Sequence, residues 1–287
     1  MFLSIPRIVR LFLVPCTGIF LSCIAVDVPR NRSAGLRAYF VDVGQGDACV
    51  LRSPDGRWYL FDAGNEERAL LGFLRQAGAD TFQAVFISHP DRDHYGALSA
   101  VSHAFPVKKA YLPQGSNPDP AWQETLRALD VSGAERETPV AGEEVDLGGA
   151  TARILRPNPE SRFTGNDLST VVRVEYLGKR ILLTGDIGDA AEKEMLADHA
   201  DLAADILKVA HHGSRTSSGL GFLEAVRPDW AILSCDSSVY GHPHAEAVAD
   251  LAWAMGDSAH ILRTDREGTI GFELDGSGVR RLDAFEW

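Results

Sequence analysis

The stretch Ser88-His89-Pro90-Asp91-Arg92-Asp93-His94 constrains this chain more than any other. It sets two histidines and two aspartates within six positions, His89 to His94. The apolar run Gln83-Ala84-Val85-Phe86-Ile87 precedes it and reads as a buried strand. Tyr95-Gly96-Ala97-Leu98 follows and reads as the start of a helix. Imidazole nitrogen and carboxylate oxygen are the ligand atoms of zinc, manganese and iron. A single aspartate here would read as a helix N-cap, Asp91 or Asp93. Four ligand-type side chains on one strand-to-helix loop read instead as part of a metal site.

The same arrangement recurs downstream. Ile181-Leu182-Leu183 runs into Thr184-Gly185-Asp186, and an aspartate directly behind a buried strand is costly unless something pairs with it. Ile206-Leu207-Lys208-Val209-Ala210 runs into His211-His212-Gly213-Ser214. Trp230 to Ser234 reads as another strand, and Tyr240-Gly241-His242-Pro243-His244 follows it. His242 is the candidate functional residue there, and His244 the start of the next helix. Strand-end loops converge on one edge of a sheet, so these distant residues can share a site.

His-x-Asp-x-Asp-His at 89–94 resembles the His-x-His-x-Asp-His loop of metallo-β-lactamase fold hydrolases, with Asp91 where the second His stands. Asp42-Val43-Gly44-Gln45-Gly46-Asp47, His211-His212-Gly213-Ser214 and Tyr240-Gly241-His242-Pro243 resemble the ComEC-like hydrolase domain of competence DNA-uptake proteins. The loop is also similar to that of choline-phosphate esterases acting on teichoic acid. The resemblance runs from about Arg37 to Leu274. It implies an α/β fold, a four-layer αββα sandwich, over residues 37–287.

The resemblance also implies two divalent metal ions. Zinc is the default, and the harder oxygen of Asp91 shifts preference toward manganese. His89 and Asp91 would hold the first ion; Asp93, His94 and His212 the second; Asp186 would bridge both. Asp62 would orient the loop of His89 by hydrogen bonds. Asp93, His211 and His242 are the candidate catalytic residues, with His211 and His242 placed to contact or protonate the substrate. One departure stands out. The wider fold takes a further His from mid-chain, and Thr164-Gly165-Asn166-Asp167-Leu168-Ser169 offers none, leaving Asn166 or Asp167 in its place. The ComEC-like branch lacks that His as well.

The expected reaction is hydrolysis of a phosphodiester by a metal-activated hydroxide. The resemblance points to DNA as substrate. The net charge of −12 points away from it, because nucleic-acid affinity comes largely from Lys and Arg, and so toward teichoic-type or small diesters. The alternatives are a β-lactam or lactone hydrolase, and a secreted metal-binding protein without catalysis.

The N-terminus carries its own signal. Arg7 and Arg10 precede a stretch without charges from Leu11 to Val26, which reads as a secretory signal over about residues 1–28. Phe20-Leu21-Ser22-Cys23 resembles a bacterial lipoprotein cleavage box, which would put lipid on Cys23 and the protein outside the cytoplasm, membrane-anchored or secreted. Cys49 and Cys235 lie in strand-like runs and read as core residues.

Overall fold

The computed structural model describes residues 35–114, 117–158, 161–198 and 201–283. The expected signal and the lipid site at Cys23 lie outside the described residues. Among the described residues no helix is long and apolar enough to cross a membrane.

Fifteen strands form two mixed sheets among the described residues. The first sheet contains β1 (Leu36–Phe40), β2 (Cys49–Arg52), β3 (Trp58–Phe61), β4 (Phe82–Phe86), β5 (Lys109–Tyr111) and β6 (Glu135–Glu137). The second contains β7 (Glu144–Asp146), β8 (Thr151–Arg156), β9 (Val171–Tyr176), β10 (Lys179–Leu183), β11 (Ile206–Lys208), β12 (Trp230–Leu233) and β13 (Ile261–Arg263). The chain then returns to the first sheet with β14 (Ile270–Asp275) and β15 (Gly278–Arg281), giving the order β15-β14-β1-β2-β3-β4-β5-β6. Each sheet has an antiparallel half and a parallel half: β3 to β6 run parallel in the first, β10 to β13 in the second.

The helices are α1 (Glu67–Ala77), α2 (Arg92–Tyr95), α3 (Leu98–Ala104), α4 (Pro120–Ser132), α5 (Asp189–Ala197), α6 (Leu220–Val226), α7 (Ala245–Met255) and α8 (Thr264–Glu267). Successive side chains of a strand point to opposite faces, and here both faces are covered, so the strands read as nearly continuous apolar runs. On β1, Leu36, Ala38 and Phe40 face the second sheet, while Tyr39 faces the helix layer. Between the sheets, Phe61, Phe86 and Tyr111 stack across three adjacent strands with ring centroids 4.4 Å apart at each step. Leu70, Leu98, Val101 and Trp122 of α1, α3 and α4 pack on the outer face of the first sheet. Met195, Phe222 and Leu251 of α5, α6 and α7 do the same for the second. Three apolar layers separating helix, sheet, sheet and helix make the expected four-layer αββα sandwich.

One local reading changes. The helix expected from Tyr95 begins earlier, so Asp93 and His94 sit inside the single turn of α2. β13 and β14 lie in different sheets: β13 beside β12 in the second, β14 antiparallel with β1 in the first. Strand pairing across the whole chain is set by the tertiary fold, and local periodicity does not encode it. The single turn of α8 between them makes the crossing. Cys49 and Cys235 are buried free thiols, as expected of core residues.

Candidate metal centre

The loops after the parallel strands of both sheets meet at one edge of the sandwich. β3 delivers Asp62, β4 delivers His89 to His94, β10 delivers Asp186, and β11 delivers His211 and His212. The stretch between β1 and β2 adds Asp47. A side chain on Gly46 (φ +132°) would collide with the backbone carbonyl of Asp93, so only glycine lets this stretch seat against α2. The Asp47 amide then donates to the Asp93 carbonyl at 3.0 Å.

The Nε2 edges of the histidines converge on Asp186. His94 Nε2 lies 3.2 Å from Asp186 Oδ1, and His212 Nε2 lies 3.4 Å from Oδ2. His89 Nε2 and His211 Nε2 are each 3.9 Å from Oδ2. Asp91 stands 3.6 Å from His89 Nε2, and Asp93 stands 3.3 Å from His212 Nε2. All six sequence-derived ligand candidates are therefore brought together, with Asp186 in the middle. His211 is half-buried and His242 buried beside it, with ring centroids 5.6 Å apart.

The opposite edges of the rings are anchored. Asp62 accepts from the Ser88 amide and hydroxyl, each at 2.7 Å, and from His94 Nδ1 at 2.9 Å. It thus orients the metal loop through Ser88 and His94. His212 Nδ1 donates to the Ser234 carbonyl at 2.9 Å. A donor role for Nδ1 leaves Nε2 as the lone-pair edge, the arrangement that holds metal-ligating histidines in place. Asp47 sits behind the rings, 3.3 Å from His212 Nδ1 and 3.7 Å from His94 Nδ1. It is within reach of the cluster: one ligand atom each of Asp47, His94, Asp186 and His212 lie within 4.8 Å of one another.

The cluster fits a divalent cation. Nε2 of His89, His94 and His212 and Oδ1 of Asp186 are buried without a hydrogen-bond partner among the described residues. Orphaned buried polar atoms are rare and call for an explanation, and ligand atoms of Asp47, His94, Asp186 and His212 within 4.8 Å of one another are close enough to share an ion. The electrostatics agree. Burial works against the charge of Asp186, yet His212 and His94 hold its carboxyl well below the usual range. Burial likewise opposes a charge on His94, but Asp186 and Asp62 raise its pKa well above the ordinary value. Burial lowers His211, and burial with the neighbouring His212 and His211 pushes His242 down to about 4. A divalent-metal site is the arrangement these groups form.

His211 and His212 do not extend the strand. They occupy a tight 3₁₀ turn, both left-handed, at φ 50° and 54°. Gly213 (φ +81°) follows, pressed against Pro243 and Leu233. Such conformations cost about 1–3 kcal/mol each for residues other than glycine and gather at functional sites. The turn separates the two rings, burying His212 and leaving His211 half-buried.

The residues after this turn are clamped by Glu192 of α5, which accepts from the amides of Ser218 and Gly219. Burial, with Asp189 and Asp167 nearby, raises the Glu192 carboxyl from 4.5 to about 7. The unfolded chain therefore loses this proton before the folded one, and folded stability falls as pH rises from about 4.5 through about 7. Glu192→Gln does not titrate. Its unfolding free energy relative to the unmodified protein is expected to rise by up to about 3 kcal/mol between pH 4 and pH 8. Urea unfolding at both pH values checks this, and a pH-independent difference would refute it.

Asp167 donates nothing to the cluster; its carboxylate accepts from the Gly188 amide at 2.7 Å. With Asn166, Asp186 and His211 it lines a cleft of about 320 Å³ on one side of the centre. A second cleft of about 390 Å³, with Gln45, Glu66, Arg92, Asp236 and Tyr240, opens on the other. His244 caps α7, and His103 is exposed on α3, so neither joins the site. His199 lies outside the described residues. Sequence reasoning gave Asp47 no role and passed over Lys208, a charge inside the buried run of β11; that charge was the available signal.

Residues 41–237 match the Metallo-beta-lactamase superfamily. ComE operon protein 3 of Bacillus subtilis (strain 168) is 29% identical over 252 residues, covering 81% of this chain and 32% of that protein. Competence protein ComA of Neisseria gonorrhoeae is 32% identical over 269 residues, covering 91% of this chain and 36% of that protein. The chain thus spans about a third of the length of these two relatives. The solved metallo-beta-lactamase fold protein YhfI from Bacillus subtilis shares the fold at a TM-score of 0.54 and 12% identity, over 79% of this chain and 95% of that one. The matched span, the four-layer sandwich and the histidine–aspartate cluster at its edge agree: this chain belongs to the metallo-beta-lactamase superfamily of metal-dependent hydrolases and resembles its ComEC-like branch.

Proposed function

We propose that the protein is a two-metal phosphodiesterase, with zinc or manganese as the ions. The observation that carries the reading is Asp186, whose carboxylate lies within 3.9 Å of the Nε2 atoms of His89, assigned to one ion, and of His94 and His212, assigned to the other. A carboxylate so placed serves two ions. His89 and Asp91 would hold one, Asp93, His94 and His212 the other. When bound, two such ions supply Lewis acidity toward a phosphoryl oxygen and a nucleophilic water at neutral pH.

The chain's own groups do the rest. Asp93 turns a carboxylate oxygen toward the centre from α2. His211 and His242, with ring centroids 5.6 Å apart, are the groups that would contact a leaving oxygen. Their lowered pKa values keep both imidazoles neutral near pH 7, so they position and donate rather than add charge. Competence names among the relatives favour nucleic acid as the diester. The clefts favour a short one: Glu66, Asp236 and Asp189 line them, while Arg92 is taken up by Asp119 at 2.9 Å and 3.2 Å. A long polyanion gains little there beyond the metals themselves.

The test is a substrate panel on metal-loaded protein: bis-p-nitrophenyl phosphate, single-stranded DNA and nitrocefin. Turnover of the small diester is expected to exceed that of nitrocefin by orders of magnitude. Hydrolysis of nitrocefin alone would replace this reading with the β-lactam one. Turnover of none would leave a non-catalytic metal-binding protein.

A further inference from the structure

Lys208 lies under the centre, on β11, in a strand otherwise made of apolar core residues. It is 3% exposed. Its ammonium makes a close ion pair with Asp47, approaches the Gly185 carbonyl at 3.4 Å and stands 4.0 Å from Asp186 Oδ1. Burial works against the charge of Asp47, but Lys208, and after it His212, hold that carboxyl down at about 2. A buried lysine is costly and needs a reason. The reading above leaves Lys208 without one.

We propose that Lys208 is a resident cation of the metal centre: it offsets Asp47, holds that carboxylate against the rear edges of His94 and His212, and sets how strongly the site attracts dications. The inference rests on the two-metal reading. Five carboxylates gather here, those of Asp47, Asp62, Asp91, Asp93 and Asp186. Against them stands the Lys208 ammonium, which leaves four negative charges when the histidines are neutral. Two dications cancel four charges. Without Lys208 the balance keeps one uncompensated negative charge, and the buried Asp47 loses its partner while keeping two histidines in contact.

The geometry also makes Lys208 a positioning residue rather than a catalytic one. Asp47 stands between it and the rings, and the Nε2 edges face the other way. Its effect reaches the ions in two opposed ways. As a like charge it weakens dication binding. As the counterion of Asp47 it keeps the metal-free site folded. Removal should therefore move affinity and metal-free stability in opposite directions, a signature that loss of packing alone does not give.

The experiment compares Lys208→Met, Lys208→Arg and the double variant Asp47→Asn/Lys208→Met. Manganese affinity is read by competition with a chelator, and metal-free stability by urea unfolding. Lys208→Met is expected to bind manganese roughly tenfold or more tightly and to unfold at lower urea when metal-free. Lys208→Arg, with its charge retained, should stay near the unmodified protein in both. The double variant, with both charges gone, should recover metal-free stability and return to near-original affinity. Should Lys208→Met not fold without metal, the double variant carries the test. Lys208→Met with unchanged or weaker binding, Lys208→Arg behaving like Lys208→Met, or a double variant binding tenfold more weakly would each overturn the proposal. If the unmodified protein itself binds no dication, the two-metal reading fails instead, and the two failures are told apart.

Discussion

Asp186→Ala protein is expected to come out of purification nearly free of divalent metal, whereas Asp91→Ala keeps the larger share. The reason is geometric. Asp186 is buried and faces the Nε2 atoms of the three ligand histidines at 3.2 to 3.9 Å, while Asp91 approaches His89 alone, at 3.6 Å, with its side chain 58% exposed. Losing Asp186 removes a contact from every ion in the site; losing Asp91 opens one position that solvent can fill. Loss of a partner that only supports a ligand costs about 10–100-fold in metal affinity. Removing the central carboxylate is expected to cost at least that much, and removing Asp91 less. Elemental analysis of the two variants, loaded side by side, decides. Equal losses would take Asp186 out of the bridging role.

The second large effect separates the neighbouring histidines. His211→Ala should keep its metal and lose roughly 10²–10⁴-fold in diester turnover, the usual range for a group that moves or positions a proton. His212→Ala should lose metal first and activity with it, and added metal should restore part of that activity. The difference follows from the turn that carries them. His212 is buried with Nδ1 tied to Ser234, while His211 stands half-buried at the rim with its pKa lowered by burial. Should His211→Ala be the variant that loses metal, the roles are exchanged. Should neither variant change turnover, the phosphodiesterase reading falls.

Much of this centre is legible in the sequence because the fold writes it as a repeated local rule. An apolar run that ends in His, Asp or both announces a buried strand delivering ligands to one edge, and β4, β10 and β11 each obey it. Where the rule is silent, the reading is too. β6 is Glu135–Glu137, exposed throughout, and carries no apolar pattern; it is a strand only because β5 offers it a free edge. The short helix α6 and the hairpin strand β15 also went unread. Asp47 escaped because Gly44 and Gly46 before it mark a tight turn without saying what the turn approaches. The left-handed backbone of His211 and His212 has no local signal either, since neither residue favours it. Tertiary contacts alone impose it.

The pairing of β1 with β14 has a temporal consequence. Leu36 aligns with Leu274 and Phe40 with Ile270, so the strand leading into Asp47 rests against residues made more than two hundred positions later. The Asp42 amide adds a bond to the Thr269 hydroxyl across the same gap. Contacts this distant in sequence must close a large loop before they return any stabilisation, and folds rich in them form slowly. A ribosome that has delivered every histidine and aspartate of the centre has still not delivered the strand that fixes the first of them in place. The nascent chain therefore holds all its ligands before it holds their geometry, and the arrival of β14 acts as a clock on when the site can close.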